Sequence, residues 1–430
     1  MLISDLILHS IAISDPPLRS SYGLHAPFAL RTVVELKTDS GLTGIAETYG
    51  GDGPRAALEA VRPRVVGMDP FQLAGLWRDL EASATAEAAN APGGRSQTYL
   101  VPGENPLDRH ARTFAAIEIA CLDLIGKAVG KPVCDVIGGR VRDEVSFSAY
   151  LFYKHGGNDP WGEVLDAPAC VRECRQMVAQ YGFREIKLKG GVLDPDIEIA
   201  SIRALRQEFG AAYPLRIDPN CAWSVNTSVH VGRELKEELS GGGYLEDPCA
   251  TLEGMAEIRH RLLAENNHTP QASNVAVTNF ADVPRAKEQD AVQIVLSDPH
   301  YWGGMRNVQY LSHMTRVLGM GLSMHSNSHL GVSLMAMTHV AAACPNLTYA
   351  CDTHYPWQTA EDEIAAGGRI QFVNGCVRIP DRPGLGVELD YDQVARGRER
   401  YEKIPYRKRD DEAEMRQRVD PNWRRVLPRW

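Results

Sequence analysis

The chain has 430 residues, 44% of them apolar and 23% charged, with 46 Lys and Arg against 55 Asp and Glu and a net charge of −9. That length exceeds one small domain, and the composition is that of an ordinary globular protein, not a disordered or fibrous one. The acidic balance argues against a nucleic-acid partner, and no run of about 18 uncharged apolar residues offers a membrane span.

In chain order, "MLISDLILHSIAI" carries Asp5 and no Lys or Arg, so it reads as a strand and not as a signal peptide. "LILHSIAI" and "LRTVVELKTDSGLTGIAET" predict an antiparallel meander that turns at "DSG". Helical periods follow in "GPRAALEAVRPRVVG", "PFQLAGLWRDLEASA" and "TFAAIEIACLDLIGKAVG". Between the last two, Ser83 to Pro106 is rich in Ala, Gly and Pro without a clear period, and reads as a long loop. Residues 1–140 therefore form an α+β unit. Nine scattered cysteines, odd in number and without a C-x-x-C, fit reduced thiols in a cytoplasmic protein.

Residues 141–375 have another rhythm. Short apolar runs alternate with helical stretches: "SFSAYLFYK", "FREIKLKG", "PLRIDPN", "GYLEDP", "TPQASN", "AVQIVLSDP", "GLSMHSN" and "LTYACDTH". Their spacing is that of a βα unit, and eight in a row match an α/β barrel of the TIM type. A doubly wound sheet would want a Gly-rich phosphate loop after its first strand, and "LFYKHGGNDP" is not one. The remainder, 376–430, is too long for a ninth unit and is expected to pack back on the first domain. Its basic stretch from Arg396 reads as a solvated helical face.

The strand ends carry the chemistry. In such a barrel, C-terminal strand ends face one pocket. Here they hold Lys187 and Lys189, Asp218 and Asn220, Glu246 and Asp247, Asn274, Asp298, His325 and Asn327, then Asp352 and His354. One acid at a strand end is usually a helix cap. Polar groups at seven successive ends point to a site. Asp218, Glu246 and Asn274 offer three hard oxygen donors, a set that suits Mg²⁺.

Lys187 and Lys189 stand at i and i+2 and share a face. A second ammonium and a nearby metal ion lower a lysine's hold on its proton, which would fit Lys189 as a base. Lys187 would depress Lys189 and also bind the substrate carboxylate. His325 could be fixed in one tautomer by Asp298 and act from another strand. "HSNSH" has Ser326 where a zinc-protease helix needs Glu, so it is not that motif, and His329 reads as an ordinary buried histidine.

These residues resemble the enolase superfamily and, within it, the glucarate dehydratases of the mandelate racemase subgroup. The resemblance spans nearly the whole chain, through "HAPFALRT", "GGRSQT", "KLKGG", "DPN", "LEDP", "SNVAVT", "LSDPHYWGG", "HSNSH", "HVAAA", "DTH" and "RPGLGVE". A third metal ligand that is Asn marks that group, and Asn274 matches it. The resemblance implies a modified (β/α)7β barrel under an α+β capping domain built from both chain ends. It implies Lys189 as base beside Lys187, an Mg²⁺ site of Asp218, Glu246 and Asn274, and a His325–Asp298 dyad. His25, Thr98 and Tyr150 would meet the distal end of a diacid substrate. Asn220, Ser326, Asn327 and His354 would line the site, Arg409 in "KRDD" would face the dianion, and the loop before Thr98 would be a lid. The implied reaction is dehydration of D-glucarate, and of L-idarate, to 5-dehydro-4-deoxy-D-glucarate by a homo-oligomer. The alternatives are another acid sugar or a catalytically weak binding subunit.

Overall fold

The computed structural model describes residues 1–90 and 106–430. The chain opens with β1 (Ile3–Ser14), a small hairpin of β2 (Arg19–Ser20) and β3 (Gly23–Leu24), then β4 (Phe28–Thr38) and β5 (Thr43–Tyr49). β1, β4 and β5 form an antiparallel sheet in that order, with Ser14 opposite Phe28 and Arg31 opposite Tyr49. This is the expected meander, and its turn falls at Asp39–Gly41.

Three helices follow, α1 (Asp52–Val65), α2 (Leu73–Asn90) and α3 (Pro106–Val129), with a single turn α4 (Val133–Val136) after them. α3 lies against β5 and α2. The expected loop from Ser83 is corrected here, because α2 continues to Asn90. Its last turns, "ATAEAAN", lack an apolar period, but alanine has the highest helix propensity and carries the helix on. The rest of that segment, with Thr98 and the suggested lid, lies outside the described residues.

A short β6 (Glu144–Ser146) leads into the barrel. Seven strands pair in parallel in chain order: β7 (Ala149–Phe152), β8 (Ile186–Lys189), β9 (Leu215–Asp218), β10 (Tyr244–Glu246), β11 (Gln271–Ser273), β12 (Ile294–Ser297) and β13 (Gly321–Met324). Between and after them run α5 (Ala167–Tyr181), α6 (Pro195–Phe209), α7 (Val225–Glu234), α8 (Leu252–Ala264), α9 (Asp282–Glu288), α10 (Met305–Val317) and α11 (Gly331–Ala342). Caps set these helices. Asp166 accepts from Ala169 N to start α5, and Gly182, at φ 73, ends it in the left-handed conformation that costs glycine little.

The eighth position is filled by residues 347–352. Leu347 bridges Leu322 in parallel and Cys351 bridges Phe147, so this segment joins β13 to the start of β7 and closes the barrel. Only two single turns follow it, Tyr355–Trp357 and Ala360–Asp362, where a regular barrel has a helix. The architecture is (β/α)7β.

α11 is buried at every one of its 12 residues. It packs between β5, α4 and α10, which explains why "GVSLMAMTHVAA" is apolar all round. Past β14 (Cys376–Arg378), α12 (Tyr391–Lys403) lies on β1 and α13 (Asp411–Arg418) on β3. The tail is therefore not simply a solvated face. Val394, Gly397 and Tyr401 of α12 are buried, and Met415 and Trp423 pack on Leu24. All nine cysteines are free thiols, and no described helix is long and apolar enough to cross a membrane.

Candidate active site

β8 reads Ile-Lys-Leu-Lys, with all four residues buried. Ile186 and Leu188 face the helices, which turns Lys187 and Lys189 into the barrel. Register sets Lys189 opposite Asp218 and Lys187 opposite Tyr150. The loop after β8 must pass close to the loop after β9. Gly191 makes this possible, since at φ 71 a β-carbon would fall 2.3 Å from Pro219 O. The Glu198 carboxylate accepts from the backbone N–H groups of Gly191, Val192 and Leu193, at 2.9 Å each, and fixes that loop.

Lys187 and Lys189 have different surroundings. The Lys187 ammonium is wholly buried, 2.6 Å from Asp352, 2.7 Å from Glu246 and 3.6 Å from Asp218. Burial lowers its hold on the proton, but Asp352 and then Glu246 more than offset that and keep it well above the usual lysine range. It does not line the cavity described below. In this structure its charge faces three carboxylates. Asp352, given no role from sequence, is one of them. Lys189 does reach the cavity, and its Nζ sits 2.6 Å from Asp218 Oδ2.

Asp218 and Glu246 end neighbouring strands and lie beneath that floor, and Asn274 follows the next strand and reaches the cavity. Asp247 holds Asn274 in place, accepting from Ser273 Oγ at 2.6 Å and from Asn274 N at 2.9 Å. Burial and then the charge of Asp218 push the Glu246 carboxyl well above the usual range, with Lys187 opposing them. Burial also raises Asp218, but Lys189 and Lys187 prevail and its carboxyl is held low.

The Asn274 amide tests the fit of a cation. With its nitrogen turned inward it donates to Asp247 Oδ2 at 2.7 Å and to Glu246 Oε1 at 3.3 Å. With its oxygen turned inward, it meets those carboxylate oxygens with no proton between them, a contact that a cation relieves. Among the described residues no three His, Cys, Asp or Glu side chains converge to hold a metal. The set here is two carboxylates and one amide, all hard oxygen donors, and it fits a divalent cation of the magnesium kind.

Across the barrel, His325 Nδ1 donates to Asp298 Oδ2 at 3.0 Å. Sequence reasoning missed a third member: His300 Nδ1 lies 2.7 Å from Asp298 Oδ1, and its Nε2 lies 2.9 Å from Ser333 Oγ. Burial raises the Asp298 carboxyl, but His300 and then His325 hold it far below the carboxylate range.

A cavity of about 1240 Å³ opens over these groups, between barrel, first domain and tail. Its wall includes Tyr150, Lys189, Asn220, Asn274, His325, Ser326, Asn327 and His354 from the barrel, His25 and Arg31 from the first domain, and Arg409 from the tail. Asn220, at φ 43, donates its N–H to Asp218 Oδ1 at 2.9 Å. Ser326 Oγ lies 2.8 Å from His354 Nδ1, and burial keeps His354 well below the usual histidine range. Tyr150 OH lies 3.4 Å from Asp218 Oδ2. Arg31, inside a quoted motif but assigned nothing, donates to Glu47 at 2.8 Å and to Asn327 Oδ1 at 3.2 Å.

Asp15 was missed as well. Its buried carboxylate accepts from His25 Nδ1 at 3.1 Å, Ser328 Oγ at 3.0 Å and Arg409 Nη1 at 3.2 Å, so one residue ties three segments of the wall. His329, off the cavity, contacts Thr353 and the Leu330 carbonyl, and burial lowers it to about 4, as expected of a core histidine.

Comparison with known proteins matches residues 169–394 to the enolase C-terminal domain-like model and residues 17–138 to the N-terminal domain model of mandelate racemase and muconate lactonizing enzyme. A probable glucarate dehydratase of Streptomyces coelicolor is 43% identical, over 100% of this chain and 99% of its own. A D-xylonate dehydratase of Haloferax volcanii is 27% identical over 84% of each chain. An enolase of Pseudomonas fluorescens, solved with magnesium, potassium and tartrate, superposes with a TM-score of 0.92 at 44% identity, covering 100% of this chain and 99% of that one. One from Thermobispora bispora, with magnesium and formate, superposes at 0.91 with 43% identity and 100% of both chains covered. Fold, site and full-length identity agree: the chain belongs to the enolase superfamily, in the glucarate dehydratase group of the mandelate racemase and muconate lactonizing enzyme family.

Proposed function

We propose that this chain is an Mg²⁺-dependent acid-sugar dehydratase that converts D-glucarate, and its C5 epimer L-idarate, to 5-dehydro-4-deoxy-D-glucarate. The observation that carries the reading is that Lys189 on β8 and His325 after β13 line one cavity, with His325 anchored by Asp298. The similarity to dehydratases named for glucarate and xylonate supports the reaction class.

The C–H next to a carboxylate is weakly acidic, and its loss places a second negative charge on the carboxylate oxygens. Asp218, Glu246 and Asn274 would hold the cation, which supplies the positive charge that stabilises those oxygens. Lys189 lies 2.6 Å from Asp218, one of the residues that would hold the cation, and with that carboxylate engaged there the amine would be without its anion, the condition for a lysine to act as a base. Lys189 takes the C5 proton of one epimer. His325, fixed by Asp298, takes that of the other and for both donates a proton to the departing 4-hydroxyl. Lys187 serves the site from below, as counter-charge to Glu246, Asp352 and Asp218. His25 and Arg409 face the distal carboxylate, and Asn220, Ser326, Asn327 and His354 the hydroxyls. The same reading divides the chain into a capping unit of 1–140 with 376–430 and a barrel of 141–375.

A panel of aldaric and aldonic acids, assayed in Mg²⁺ with and without chelator and with products identified by NMR, tests it. Dehydration of D-glucarate and L-idarate that stops on chelation is the expected result. Faster turnover of a different acid sugar, or epimerisation without water loss, would overturn the substrate assignment. Full activity in chelator would overturn the ligand set.

A further inference from the structure

Asp298 is 1% exposed and lies between two imidazoles. His325 takes Oδ2, at 3.0 Å. His300 takes Oδ1 twice, through its backbone N–H at 2.8 Å and its ring Nδ1 at 2.7 Å. His300 is itself 3% exposed, and its Nε2 meets Ser333 Oγ at 2.9 Å. Ser333 lies in the first turn of α11, where its N–H donates to Glu47 Oε2 at 3.0 Å. A continuous chain thus runs from α11 through Ser333, His300 and Asp298 to His325.

We propose that His300 is a positioning residue for His325: it occupies one oxygen of Asp298 and shares that carboxylate's charge, so that His325 is oriented without being locked as a cation. His300 touches neither the cavity nor any reacting atom. Its action passes through Asp298 alone. A buried carboxylate facing one imidazole holds that imidazole's second proton firmly. Divided between two, it holds each less. An acid–base histidine needs this balance, because it must give up and regain a proton in each turnover. The inference rests on the reading of His325 as acid and base.

The other groups around the pair are few. The Tyr301 ring stands 5.6 Å from that of His325, and the Tyr49 ring 6.5 Å from that of His300. His354 faces His325 and His329 faces His300, both with their hold on a second proton weakened by burial. None of these is an anion at neutral pH, so Asp298 dominates the field at both rings. Glu47 lies beyond Ser333 and is paired to Arg31.

The test is an NMR titration of the 13 histidines in the full-length protein with Mg²⁺, His325 being assigned by its loss in His325→Asn. In His300→Phe the His325 transition should move up by about one pH unit, the order expected when a buried carboxylate turns to a single partner. His300→Asn, whose amide N–H replaces ring Nδ1, should restore it to within about 0.3 of wild type. In turnover, the pH limb of proton abstraction from the His325-side epimer should move with it, while C5 exchange from the Lys189 side stays in place. An unmoved transition in His300→Phe overturns the proposal, and so does an equal shift in His300→Asn. Should His300→Phe not fold, Ser333→Ala decides: it removes only the far partner, and a smaller shift in the same direction supports the relay while none overturns it. The titration needs no substrate, so failure of the substrate assignment in the sugar panel leaves this result standing or falling separately.

Discussion

Replacing Lys187 with methionine keeps the length of the side chain and removes its charge. The ammonium is 0% exposed and within 4 Å of three carboxylates, Asp352 at 2.6 Å, Glu246 at 2.7 Å and Asp218 at 3.6 Å. Removing one partner of a buried ion pair costs about 3–5 kcal/mol, because the other charge stays buried without compensation. Unfolding entropy near 2.1 cal/mol/K per residue gives a 430-residue chain about 0.9 kcal/mol/K, so the melting temperature should fall by about 3–6 °C. The pH dependence follows from the same charges. Lys187 has its folded value raised, so its stabilisation is complete below the unfolded lysine range and decays only as pH climbs through the higher folded value. Across neutral pH the titration of Lys187 itself adds no slope. Glu246 has its folded value raised as well, which for a carboxyl costs stability once pH exceeds the unfolded value. Without Lys187 that cost grows, so the gap between variant and wild type should widen from pH 5 to pH 8. Differential scanning calorimetry in chelator at several pH values reads both effects. A variant that melts within about 1 °C of wild type at pH 8 would refute the assignment of Lys187 as counter-charge, since the lost pair should alone cost about 3 kcal/mol.

Lys189→Ala should abolish C5 hydrogen exchange in D₂O for one epimer and spare the other, and exchange of both near wild type would show that the base lies elsewhere. His325→Asn should stop dehydration of both epimers while exchange from the Lys189 side continues, and product formed at the wild-type rate would move the acid role to His354. Asp15→Ala should raise KM for the diacid by about tenfold with a smaller effect on kcat, the pattern of lost binding that does not depend on the transition state. KM unchanged within twofold would mean that His25 and Arg409 hold their places without it.

Much of the barrel was legible because its signal is local. A strand of "REIKLKG" or "AVQIVLSDP" states its period and its end within nine residues, and chemistry at a strand end is aimed by the fold. Lys189, Asn274 and His325 could be read in this way. Burial could not. "KLK" shows two lysines on one face but does not say that Lys187 Nζ lies among three acids and Lys189 Nζ at a cavity wall. That depends on how far the eighth strand brings Asp352, 165 residues away. His300 was hidden for another reason. "SDPH" places it two residues beyond Asp298, where a loop histidine carries no periodic signal. Only the turn that brings ring Nδ1 back onto Oδ1 reveals it. The Ala-rich end of α2 had no apolar stripe, and propensity alone marked it.

Asp15 shows why the first domain and tail are part of the site and not merely attached to it. Its own backbone N–H is spent on Pro27 O at the far end of the β2–β3 hairpin, so the loop that carries His25 is already folded back on it. The side chain then takes Ser328 from the barrel and Arg409 from between α12 and α13. A buried carboxylate is costly to desolvate and is tolerated only when donors surround it. Its other oxygen has no partner among the described residues, so the three donors on Oδ2 carry the whole compensation. Each of those donors comes from a different part of the chain, and each belongs to or adjoins the cavity wall. Docking of the capping unit on the barrel and assembly of the distal end of the cavity are therefore one event. A first domain that failed to dock would leave Asp15 without Ser328, and so with one donor fewer on a buried carboxylate. On the proposed function, selectivity for the far end of a substrate would be built from contacts between segments, while the proton chemistry assigned to Lys189 and His325 would be built within the barrel.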